Sequence, residues 1–89
     1  MGKVASFNIE GIYCWFWSQD YLPPHFHAKK RGEWHYKVLF LKSKGAMLER
    51  AKGPQGRMSA RDRRLLQKIA ALHRVELLQQ WERKVNYDY

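Results

Sequence analysis

The chain has 89 residues, enough for one domain whose modest core buries roughly 60–65% of the unfolded surface. Its net charge is +9, and its single cysteine, Cys14, excludes an internal disulfide and a CxxC-type zinc site. With no apolar run of the ~18 residues a spanning helix needs and no signal-peptide pattern, the expectation is a cytoplasmic protein with no membrane partner.

Residues 4–9 read as an edge strand or ordered arm, closed by a turn signal at Glu10-Gly11. Residues 12–17 (Ile-Tyr-Cys-Trp-Phe-Trp) are β-branched or aromatic almost throughout and too short for a helix, so they read as a strand apolar on both faces. Pro23-Pro24 then fixes φ twice and removes two donors, which ends regular structure. Residues 25–30 read as a second strand, with His25 and His27 on one face and Phe26 on the other.

Arg31-Gly32 reads as a two-residue hairpin loop leading to a third strand over 34–41. That loop length places His27 opposite Tyr36 and His25 opposite Val38, so both histidines share a face with Trp34 and Phe40. His35 falls on the other side with Phe26 and Ala28. An odd loop would reverse this parity. A turn at 43–45, a short fourth strand over 46–51 and a Gly/Pro-containing basic loop over 52–58 follow.

From 59 to 84 a helix is expected. Ser59 and Asp62 form a capping-box-like start, and no Gly or Pro interrupts residues 60–84. Leu66, Ile69, Ala70, His73, Leu77 and Trp81 share one side at the 3.6-residue period. Residues 85–89 are a frayed tail. The expected architecture is therefore α+β: one domain over 1–89, in which a small, mostly antiparallel sheet of three to four strands is covered by one long C-terminal helix.

Two sets of residues carry chemistry. The first is charge. Residues 42–68 hold nine basic side chains (Lys42, Lys44, Arg50, Lys52, Arg57, Arg61, Arg63, Arg64 and Lys68) opposed only by Glu49 and Asp62, a net of +7. Such a field attracts polyanions, with solubility as the plain alternative. The second is imidazole. His73 lies mid-stripe on the helix, Glu76 one turn along, and the helix has to cover the face carrying His25 and His27. Those four side chains can then converge as a general acid–base centre for RNA, as a metal site, or as hydrogen-bonded core groups that pin helix to sheet. No metal and no cofactor are assigned, because the third ligand would depend on the placement of a distant helix.

Several stretches together resemble a known family: Gly11-Ile12 opening an aromatic strand, Asp20-x-x-Pro23-Pro24-His25-Phe26-His27-Ala28, and Leu72-His73-x-x-Glu76-Leu77-Leu78 followed by Trp81. Over roughly residues 6–81 they are similar to the small bacterial family termed domain of unknown function 4160. The resemblance implies a small α+β domain in the bacterial cytoplasm, encoded beside another small gene in toxin–antitoxin-like pairs, and brings no activity with it. The expected partner is then RNA or an acidic, antitoxin-like protein held by the basic segment. The alternatives are a metal-independent ribonuclease-like toxin using the histidines, or a metal-binding histidine-site enzyme. Exposed edge strands also leave a homodimer open.

Overall fold

A computed structural model describes residues 2–17, 22–51 and 56–84. The turn residue Asp20, the basic residue Lys52 and the tail at 85–89 lie outside the described residues. Five strands, β1 (Gly2–Lys3), β2 (Tyr13–Phe16), β3 (Phe26–Lys30), β4 (Trp34–Val38) and β5 (Leu48–Arg50), form one antiparallel sheet in chain order. Two helices follow, α1 (Ala60–Leu72) and α2 (Arg74–Lys84). The α+β architecture is as expected. The sheet gains a two-residue edge strand, β1, and a short 3-10 turn at Lys44–Ala46 precedes β5.

The helix expected over 59–84 is two helices. Its start is as read, with the Ser59 hydroxyl accepting from the Asp62 N–H at 3.1 Å. His73 then leaves helical geometry (φ −108°, ψ 23°), although its N–H still donates to the Ile69 carbonyl and its carbonyl still accepts from the Leu77 N–H. Tertiary contacts hold this break. The His73 ring packs on Phe7 with centroids 5.6 Å apart. Arg74 donates to the carbonyls of Phe40 and Lys42 at 2.8 and 2.9 Å.

The two helices therefore follow different paths. α1 starts beside the β3–β4 turn, where Lys30 meets Asp62 at 3.3 Å, and ends near the β4–β5 connection. α2 continues toward the N-terminal strand, where the Lys84 ammonium donates to the Lys3 carbonyl at 2.7 Å. Gln80, buried on α2, clamps the arm after β1: its Oε1 accepts from the Ala5 N–H at 2.7 Å and its amide donates to the Ser6 hydroxyl.

The β3–β4 register corrects the expected parity. Phe26 pairs with Val38, His27 with Lys37, Ala28 with Tyr36 and Lys30 with Trp34. The loop is thus Arg31-Gly32-Glu33, three residues, with Gly32 at φ 77°. One extra residue moves every side chain of β3 to the other face relative to β4. Phe26 and Ala28 join Cys14, Phe16, Trp34, Tyr36 and Val38 in the core beneath Leu66, Ala70, Leu77 and Trp81. His27 goes to the opposite face, with His35.

Candidate nucleic-acid interface

β2 is the element that organises the face away from the helices. Its Cys14 and Phe16 point into the core, so Tyr13, Trp15 and the next residue, Trp17, stand on the other side. Trp15 sits in a row that runs Lys3, Trp15, His27, Lys37, Glu49 across all five strands. The neighbouring row holds Tyr13, Lys29 and His35. Among the described residues no helix or strand covers this face.

These rings form a continuous layer. Tyr13 stacks on Trp15 with centroids 5.1 Å apart, and Trp15 stacks on His27 at 5.2 Å. Trp17 lies 4.4 Å from His27, and His35 lies 5.3 Å from Trp15. The centre of the layer is buried, Trp15 being 6% and His27 only 2% exposed. Its two ends are open, with Tyr13 at 50% and Trp17 at 45% exposed. Burying the central rings contributes to stability. Leaving the end rings in water does not, and those two rings share the sheet face with Lys3 and Lys29.

The imidazoles are linked. His27 Nδ1 and His35 Nε2 lie 3.2 Å apart, so one donates a proton that the other accepts. The His35 pKa is held below its ordinary value, first by burial and then by the ammonium groups of Lys29 and Lys37. His35 is accordingly neutral at pH 7. His25 lies before β3 begins. Its Nδ1–H donates to the Pro23 carbonyl at 2.8 Å, and its ring bridges His27 and Trp81, with centroids 5.2 and 5.5 Å away.

The expected group of His25, His27, His73 and Glu76 makes its contacts as two pairs, His25 with His27 and His73 with Glu76. His25 and His27 remain neighbours, but the third imidazole is His35. His73 instead sits with Phe7 at the junction of the helices, where its Nδ1 lies 3.0 Å from Glu76 Oε2. That hydrogen bond is the first cause of the lowered pKa of exposed Glu76. Among the described residues, no group of three or more His, Cys, Asp or Glu is arranged to hold a metal ion. Cys14 is buried on the core side, and burial pushes its thiol up to about 12, with Lys3 opposing.

The basic segment divides between surfaces. Arg61, Arg64 and Lys68 lie exposed on one outward stripe of α1, with exposed Leu65 and Leu72 beside them and Arg63 half-buried. Lys44 is exposed nearby, and its backbone carbonyl accepts from Gln67 of α1 at 2.8 Å. Lys42 is exposed one connection away, and Arg50 is exposed on β5 opposite Tyr36. Arg57 follows Gly56, whose N–H donates to the Glu33 carbonyl at 2.8 Å and whose Cα lies so close that an added Cβ would be 2.9 Å from that oxygen. Arg57 and the start of α1 are therefore carried to the β3–β4 turn, beside Arg31.

At that end of the open face lies a cleft of about 400 Å³, lined by Lys3, Asn8, Gly11, Ile12, Tyr13, Lys29 and Arg31. Gly11, at φ 82°, forms the tight turn that brackets it, with Ile9 and Ile12 paired on either side. Neither this cleft nor the ring layer was among the candidates read from the sequence. Alternation within β2 pointed to the layer, but its neighbours on β3 and β4 depended on the register.

Fold and site together define a small α+β domain with helices on one sheet face and an exposed aromatic–cationic surface on the other. The model of the family described as domain of unknown function (DUF4160) matches residues 11–82, and the chain belongs to that family. No curated protein and no solved structure matches the chain. No helix among the described residues is long and apolar enough to cross a membrane.

Proposed function

We propose that this protein binds single-stranded RNA on the open face of its sheet, as the RNA-binding member of a bacterial, cytoplasmic toxin–antitoxin-like pair. One observation carries the reading: two half-exposed rings, Tyr13 and Trp17, end a stacked aromatic layer on the face that also carries Lys3, Lys29 and Arg31. Bases stack on such rings whatever their sequence, and cations alongside take the phosphates. Among the described residues no carboxylate pairs with those three cations. From Arg31 the phosphate path continues to Arg57 and Arg61, which lie at the same end.

The test is fluorescence anisotropy with a labelled ten-nucleotide RNA. Four phosphate contacts give a slope of log affinity against log salt of about −3, and so about a 50-fold loss between 50 and 200 mM salt. Tyr13→Ala or Trp17→Ala weakens binding about 5- to 100-fold, the usual range for one base–ring stack. An acidic partner protein is the competing occupant, on the outward stripe of α1, where Arg61, Arg64 and Lys68 flank exposed Leu65 and Leu72. The same assay separates the two. If Arg61→Gln with Arg64→Gln and Lys68→Gln abolishes polyanion binding while Tyr13→Ala and Trp17→Ala bind as wild type, the sheet-face reading is wrong.

A further inference from the structure

We infer that the cleft between the N-terminal arm and β3 is a pocket for a terminal phosphate group of a nucleic-acid strand, with the adjoining base stacked on Tyr13. The inference rests on the RNA reading and names which part of the strand is recognised. Its size, about 400 Å³, falls within the range of small-ligand pockets.

Charge argues for a strand end and against an internal linkage. An internal phosphodiester carries one negative charge, whereas a terminal phosphate carries about −1.5 to −2 at pH 7 and presents three acceptor oxygens. Lys3, Lys29, Arg31 and Asn8 line the cleft, and no carboxylate-bearing residue among the described residues does. Three cations exceed what one phosphodiester needs and suit a phosphate dianion with the first phosphodiester beside it. Arg31 supplies a fork that two phosphate oxygens can accept from.

Tyr13 argues for a nucleotide and against free phosphate alone. It lines the cleft and is half-exposed, and its inner side is backed by Trp15. A base attached to the bound phosphate therefore meets a rigid ring whose position is already fixed, so little ordering cost remains on binding.

Three eight-nucleotide RNAs of one sequence test this: one with a 5′-phosphate, one with a 3′-phosphate and one with hydroxyls at both ends. One phosphorylated form binds wild type about tenfold or more tighter than the hydroxyl form, as expected for added charge-assisted hydrogen bonds. Arg31→Gln brings that ratio to about one. Equal affinity of wild type for all three RNAs overturns the end-recognition inference and leaves the RNA reading standing. If none of the three binds, the RNA reading falls. The cleft is then judged by titrating adenosine 5′-monophosphate and adenosine against the amide NMR signals of Tyr13, Lys29 and Arg31. Shifts with the monophosphate alone support a phosphate pocket, and shifts with neither compound overturn it.

Discussion

Trp15 and His27 are buried on a face that no helix among the described residues covers, and rings pack against both. That enclosure constrains His35. Its ring is hydrogen-bonded to His27 at 3.2 Å, and burial together with Lys29 and Lys37 disfavours its charged form. The sign follows from linkage. The unfolded chain takes up a proton near His35's ordinary pKa of 6.5, and the folded chain takes it up only at lower pH. Stability is therefore full above about pH 6.5 and falls as the pH drops below it. In thermal melts followed by circular dichroism, wild type loses stability between pH 7.5 and 5.5, and His35→Gln loses less over the same interval. Equal losses in both would rule out His35 as the source. Cys14 was readable from sequence as a small buried hydrophobe, since its neighbours are aromatic. The His27–His35 contact was not, because residues eight apart meet only through a particular register.

Among the elements, the β3–β4 hairpin decides which side chains face the helices. Arg31-Gly32 read naturally as a two-residue loop, but a three-residue loop also takes a glycine with positive φ. Glu33 belongs to the turn, and its N–H donates to the Lys30 carbonyl at 2.9 Å. Local chemistry does not separate these two lengths, whereas burial of Phe26 and Ala28 under the helices does. Gly32→Ala forces a side chain into left-handed backbone and destabilises by about 1–2 kcal/mol. Gly45→Ala, with a glycine outside that region and open space around its added Cβ, stays within about 0.5 kcal/mol. Urea denaturation measures both, and equal midpoints for the two variants would contradict the strained-turn assignment. The break at His73 was equally illegible. No Gly or Pro marks it, and the contacts that hold it come from Phe7, Phe40 and Lys42. The Ser59 cap lay within four residues and was legible for that reason.

At the scale of the whole molecule, composition and pattern gave the α+β class, the antiparallel sheet and the C-terminal helical region, because each follows from local periodicity. They did not give the site, because it is a property of two faces and their assignment. Core and interface are separate, which has a measurable consequence. Leu66→Ala, inside the helix–sheet core, lowers stability by about 2–5 kcal/mol and leaves RNA affinity within about threefold while the protein is folded. Tyr13→Ala shifts the balance the other way, lowering stability by only about 0.5–1.5 kcal/mol for the lost stack on Trp15 and weakening RNA. If one variant moved both quantities strongly, the two faces would not be independent.

The grip of α2 on the N-terminal arm sets an order of assembly. Every strand of the sheet neighbours its predecessor in sequence, so most pairing closes short loops. The arm's bonds to Gln80 and Lys84 instead span 74 to 81 residues of chain, and such closures are the slowest to form. Lys3 and Asn8, which wall the cleft, belong to that arm. Undoing α2 would strip away the bonds from Gln80 and Lys84 and leave the backbone of the arm tied to β2, so the cleft wall has a near anchor in the sheet and a distant one in the last helix.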